Sequence, residues 1–249
     1  MRTLRNNEIH IWSATSALPD AAALAVLSAD EHARAARFVF DADRWRHLTA
    51  RCLVRQVLSR YADVPAAAWR FEANAQGRPA VVSGQTDPPL HFNLSHAGPA
   101  VVCALARFAE VGIDVEQHVP SEFREIGERH FAADERAWLA AAPDAGVASQ
   151  RFLTLWTLKE AYIKARGAGL SIPLERFSVL PDDADGATLR AEPVVDTAPA
   201  RWFFVRRAWL PGMPLALAAR LPDGGAPAVS WFQYDATAPT DPRSPAAHP

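Results

Sequence analysis

Three short strand patterns crowd into residues 91–116: HFNLSH, the apolar run AVVCALAR, and EVGIDVE. Long helical patterns stand on both sides of them. Strands this short do not bury a core alone, so helices must cover them, and the chain reads as mixed α and β. Upstream, EIHIW alternates like a strand, and LPDAAALAVLSADEHARAARF reads as one helix opened by Pro19 and Asp20. DRWRHLTARCLVRQVLSRY follows as a long amphipathic helix with Leu48, Cys52, Val54 and Leu58 on one side. WRFEANAQGRPAVV is expected to be a hairpin turning at Gln76 and Gly77.

Downstream, helices are expected at EFREIGERHF, at DERAWLAAA, and over residues 150–165, the last one stopped by Gly167 and Gly169. Strands follow at FSVL, RWFFVRRAWL, MPLALAAR and VSWFQY. The last stretch, ATAPTDPRSPAAHP, has no periodicity and is expected to be a disordered tail over residues 236–249.

Composition narrows the function. With 249 residues and 49% hydrophobic content, the chain is long enough for one large domain or two small ones. Its formal charge is −2, so no global basic field recruits nucleic acid or an anionic membrane. No apolar stretch approaches the ~20 residues that span a bilayer, and MRTLRNNEIHIW lacks the apolar core of a signal peptide. Cys52 and Cys103 sit in apolar patterns without metal-ligand spacing, as reduced thiols in the cytoplasm would.

The basic residues are distributed unevenly. Of 26 lysines and arginines, only Lys159 and Lys164 are lysine, both within WTLKEAYIKARGAGL. Glu160 and Lys164 form an ordinary i,i+4 surface pair on one reading, and on the other the lysine is a compact charge suited to a phosphate oxygen. Leu155, Leu158, Tyr162 and Ala165 make the apolar stripe of this helix, so Glu160 and Lys164 point away from it. In VGIDVE, Asp114 and Glu116 share one strand face. That pattern fits a solvated acidic edge, and it equally fits a Mg²⁺ site, which takes hard oxygen ligands. In FNLSHAG, Ser95 and His96 precede a glycine turn. No GxSxG elbow is present to support a nucleophilic serine, so a role as phosphate-reaching donors or a plain structural turn remains.

FNLSHAG, GIDVE and WTLKEAYIKARGAGL, in this order, resemble the 4′-phosphopantetheinyl transferases, in particular the long type that activates surfactin synthetase and similar assembly lines. The likeness in layout runs from about Arg34 to Tyr234. It implies an α+β fold of two similar halves about a pseudo-twofold axis, each with a small, mostly antiparallel sheet and a long helix, with coenzyme A in the cleft between them. Residues 1–109 would form the nucleotide side and 110–235 the metal site and carrier docking surface.

By the same resemblance, Asp114, Glu116 and Glu160 hold Mg²⁺, with Mn²⁺ as the alternative, and Glu160 and Lys164 are catalytic. Lys164 meets the attacked phosphate with Lys159 beside it, and Ser95 and His96 grip the phosphates of coenzyme A. Gly77, Arg78 and Pro79 border the adenine, and Arg34 and Arg46 meet the 3′-phosphate. Two departures stand out: Glu31 replaces a basic residue of the family, and arginine replaces lysine at 34 and 78. Glu135 resembles a supporting acid of the family, and it reads equally as an ordinary acidic charge at a helix N-terminus. The implied reaction moves the phosphopantetheine arm to a serine of an apo acyl or peptidyl carrier protein by a cytoplasmic monomer, with Phe123, Arg124, Arg129 and Phe131 as a candidate docking face. A Mg²⁺-dependent hydrolase of a nucleotide diphosphate and a non-catalytic coenzyme A binding module are the rival readings.

Overall fold

The computed structural model describes residues 1–235, so the expected tail at 236–249 lies outside the described residues. The chain is a mixed α+β protein whose described residues divide into two compact units, residues 1–109 with 228–235, and residues 110–227.

The first unit is built on a four-stranded sheet of β1 (Glu8–Thr15), β4 (His91–Ala97), β5 (Ala100–Ala106) and β11 (Ala228–Gln233), in the order β11-β1-β5-β4. The β1–β5 and β5–β4 pairs are antiparallel, and β11 runs parallel to β1, with Ile9 opposite Val229. VSWFQY, grouped by the sequence with the second half, thus returns to the first unit's sheet. A strand with apolar residues on both faces has many possible neighbours, and only tertiary packing selects one.

Helix α3 (Asp41–Leu58) covers this sheet, bringing Leu53, Val54, Val57 and Leu58 against Phe92, Val101, Cys103 and Leu105. The stretch read as one helix after Pro19 is two, α1 (Ala21–Leu24) and α2 (Ala29–Ala35). The break is Ser28, whose hydroxyl accepts from the Glu31 N–H while the Glu31 carboxylate accepts from the Ser28 N–H. That reciprocal cap starts a new helix in the middle of a continuous helical pattern. Strands β2 (Phe71–Ala73) and β3 (Pro79–Val81) form the expected hairpin, with Gly77 at φ +80° in its turn.

The second unit has a three-stranded antiparallel sheet, β6 (Val111–Val115), β10 (Met213–Ala219) and β9 (Phe203–Leu210), with β10 central. A separate pair, β7 (Phe177–Pro181) and β8 (Ala187–Ala191), packs beside α6. Helices α4 (Phe123–His130) and α5 (Ala133–Ala140) lead to α6 (Ala145–Arg166). That helix begins five residues before the expected start because Asp144 caps it, accepting from the Val147 N–H at 2.8 Å. It stops at Gly167, which adopts the left-handed conformation at φ +64°.

Gly112 on β6 sets how closely α6 lies on the sheet. A Cβ there would meet the Ala161 carbonyl oxygen at 2.1 Å and the Ala165 nitrogen at 2.4 Å. Only glycine permits this approach, and it puts the strand face of Asp114 against the helix that carries Glu160 and Lys164.

Candidate functional site

The closest pairing in the second unit's site joins strand and helix. Lys164 Nζ lies 2.5 Å from Asp114 Oδ1, with Asp114 almost wholly buried and Lys164 partly exposed. Asp114 is two residues from Gly112 and so faces α6, while Glu116 follows on the same side. Burial first, and the Asp114 charge next, push Glu116 up to about 7. The same two causes in the same order raise Glu160, and Lys164 partly offsets both. Three carboxylates therefore share a region in which a single ammonium does not balance them.

Among the described residues, no three histidine, cysteine or acidic side chains close on a common point. The donor set nevertheless fits a hard divalent cation: three carboxylates, two of them held above the usual range by burial and by their own repulsion, which a bound cation would relieve. Asp114, Glu116 and Glu160 are the residues that would hold it.

Lys159 is a correction. It is expected beside the coenzyme, but its ammonium is buried within the fold, 2.6 Å from Glu135 Oε2 and 2.6 Å from the Phe177 carbonyl, over the Phe177 ring. Glu135 is fully used as well, accepting from the Ala132 and Val179 N–H groups. Five residues along a helix turn through roughly 140° beyond a full circle, so Lys159 and Lys164 cannot serve one site. Phe131 is likewise a core residue and not a docking anchor, and Phe123 packs on Phe152.

In the first unit, the predicted nucleotide-side residues gather in part. Arg46 Nε donates to the Gly98 carbonyl at 3.1 Å, in the β4–β5 turn two residues after His96. Ser95 and His96 are neighbours on β4 and point to opposite faces, Ser95 buried and His96 exposed. Arg34 and His96 both act on His47, whose affinity for a proton falls to about 4, chiefly through burial and then through Arg51 and Arg34. His47 and Arg51 were missed from sequence because they sit on a helix face that otherwise reads as core; their i,i+4 spacing was the available signal. Arg78 is half-buried, reaches toward the Ala109 carbonyl at 3.4 Å, and lowers the proton affinity of His91 after burial does. Pro79 opens β3 beside Gly77.

Glu31, the departure from the expected basic residue, has a structural task. It caps α2 and accepts from Arg55 Nε at 2.8 Å, and Arg55 also donates to the Ala66 and Trp69 carbonyls.

Two family models match in the order of the two units. The N-terminal model of 4′-phosphopantetheinyl transferases covers residues 11–107, and the 4′-phosphopantetheinyl transferase superfamily model covers residues 110–218. The chain belongs to the 4′-phosphopantetheinyl transferase superfamily. It is 34% identical over 197 residues to the 4′-phosphopantetheinyl transferase HetI of Nostoc sp. (strain PCC 7120 / SAG 25.82 / UTEX 2576), an alignment covering 77% of this chain and 81% of the relative. It is 35% identical to Sfp of Bacillus subtilis (strain 168), covering 63% and 67%, and 38% identical to psf-1 of Bacillus pumilus, covering 66% and 68%. As a phosphopantetheinyl transferase, the chain transfers 4′-phosphopantetheine to carrier proteins. No helix among the described residues is long and apolar enough to cross a membrane.

Proposed function

We propose that this transferase takes its arm from coenzyme A, passes it to the serine hydroxyl of an apo acyl or peptidyl carrier protein, and releases adenosine 3′,5′-bisphosphate. The observation that carries the reading is the Lys164–Asp114 contact set among Glu116 and Glu160. A binding module has little use for a part-buried carboxylate cluster with a single ammonium in it. A nucleotide diphosphate hydrolase would use the same groups, but the two family models argue for a protein acceptor.

Asp114, Glu116 and Glu160 would hold Mg²⁺ or Mn²⁺, which when bound neutralises charge on the pyrophosphate. Glu160 sits one helical turn from Lys164 and accepts the proton of the carrier serine as its oxygen attacks the phosphorus that bears the arm. The P–O bond to the adenosine bisphosphate breaks, and Lys164 stabilises the phosphate oxygen that leaves. An ammonium already held by Asp114 is positioned for that task without reorganisation. In the first unit, Arg34, Arg46 and His96 would meet the 3′-phosphate, Ser95 the pyrophosphate, and Gly77, Arg78 and Pro79 the adenine edge. The enzyme would work as a cytoplasmic monomer.

The deciding experiment incubates the protein with coenzyme A, Mg²⁺ and a panel of apo carrier proteins and reads intact mass. A gain of one phosphopantetheine on a carrier, with adenosine 3′,5′-bisphosphate released, is expected. Adenosine bisphosphate released with no carrier modified would establish the hydrolase instead.

A further inference from the structure

Helix α6 rests on β6 at Gly112, where Ala161 and Ala165 come closest. A helix turns about 100° per residue, so Glu160 and Lys164 lie one step around it on one flank of this contact and Tyr162 and Arg166 one step around on the other. The first flank carries Lys164 to Asp114. The second is held by a single buried carboxylate, Asp196, in the loop between β8 and β9.

Asp196 accepts hydrogen bonds from the Tyr162 hydroxyl at 3.1 Å, Arg166 Nη1 at 3.1 Å, Trp202 Nε1 at 2.8 Å and the Ala198 N–H at 2.8 Å. Arg166 is pinned further by the Val195 carbonyl at 2.9 Å. Arg220 Nη1 lies 3.5 Å from the same carboxylate, and Arg220 also donates to both oxygens of Glu110, the residue just before β6. One carboxylate thus ties the end of α6 to an arginine that is itself clamped to the start of β6. These are the two elements that supply Asp114, Glu116, Glu160 and Lys164.

We propose that Asp196 is a positioning residue for arm transfer: by holding Tyr162 and Arg166 on one flank, it fixes the roll of α6 and so the placement of Glu160 and Lys164 beside Asp114 on the other. The proposal rests on Asp114, Glu160 and Lys164 belonging to the transfer centre, and Asp196 acts on them through the helix. Gly112 brings helix and strand close but offers no side chain to interlock, so that contact sets their spacing and leaves the roll to the flanks. Apolar packing of Tyr162 and Trp202 alone would stabilise this corner about as well, since buried charge clusters are often replaceable by hydrophobic residues without loss. What the carboxylate adds is direction, because hydrogen bonds weaken steeply when misaligned. Misplacing a reacting group by about 1 Å can cost on the order of a hundredfold in rate.

The test uses Asp196→Asn, which keeps the shape and loses the charge, and Tyr162→Phe, which loses one hydroxyl and keeps the ring contacts with Phe177 and Trp202. Turnover and the Michaelis constants for coenzyme A and one apo carrier are measured well below each variant's melting temperature. Mn²⁺ binding in the presence of coenzyme A is read by electron paramagnetic resonance. A turnover at least tenfold lower is expected in Asp196→Asn and a smaller loss in Tyr162→Phe, with both Michaelis constants within about twofold of wild type and Mn²⁺ held more weakly. A lower melting temperature with wild-type turnover and Mn²⁺ binding would make Asp196 a stabilising group only and overturn the proposal. A loss confined to the Michaelis constant for the carrier would overturn it as well. If Asp196→Asn does not fold, Tyr162→Phe decides, and wild-type turnover there rejects the role. A wild-type protein that moves no arm and binds no Mn²⁺ overturns the transfer centre itself, and the positioning role with it.

Discussion

Lys159 Nζ and Glu135 Oε2 are 2.6 Å apart in an interior where both side chains are essentially inaccessible. An ion pair closed off from water is fragile toward loss of one partner.

Replacing Lys159 by methionine should therefore destabilise the protein by about 3–5 kcal/mol, because Glu135 is left charged and unpaired. Urea denaturation measures this. A change below ~1 kcal/mol would show that the pair is not what organises α5, α6 and β7.

Asp114→Ala should abolish arm transfer and leave the fold intact. Lys164 is partly exposed, so water takes over its ammonium, and the cluster loses a source of repulsion. Intact mass of the carrier, together with circular dichroism of the variant, decides it, and substantial residual transfer would remove Asp114 from the site.

Lys164→Arg keeps the charge and should still cost at least tenfold in single-turnover rate, roughly 1.4 kcal/mol. A planar guanidinium cannot occupy the same point beside Asp114 and does not give up a proton. Wild-type turnover in this variant would mean that any cation suffices.

His47 is expected to shape acid stability. Its unfolded affinity lies near 6.5 and its folded affinity near 4, so between these values the unfolded chain holds more protons and stability falls as pH falls. The slope from this residue approaches ~1.4 kcal/mol per pH unit around pH 5 and vanishes above pH 7. Denaturation of wild type and His47→Gln from pH 4 to 7.5 should show a shallower curve in the variant; identical slopes would place the acid sensitivity elsewhere.

Gly112→Ala should prevent the second unit from folding well. The added methyl overlaps backbone of α6 at 2.1 Å, and backbone cannot turn aside as a side-chain tip can. Loss of soluble protein, or a melting temperature lower by more than 10 °C, is the expected result; near wild-type stability would mean that α6 can move off the sheet at little cost.

The sequence by itself determined much of the second unit's site. Period two places Asp114 and Glu116 on one strand face, period 3.6 places Glu160 and Lys164 one turn apart, and both follow from local backbone geometry. The hairpin at Gly77, the helix stop at Gly167 and the long α3 were legible for the same reason. What crosses between distant segments was decided by the tertiary structure alone. Lys159 and Lys164 look alike in sequence, yet one meets Glu135 inside the fold and the other meets Asp114 near its surface. The return of β11 to β1, the gathering of Arg34, Arg51 and His96 around His47, and the meeting of Tyr162, Arg166 and Trp202 at Asp196 are of the same kind. Each depends on which surfaces pack together, and a local pattern fixes the face a residue lies on without fixing what that face will meet.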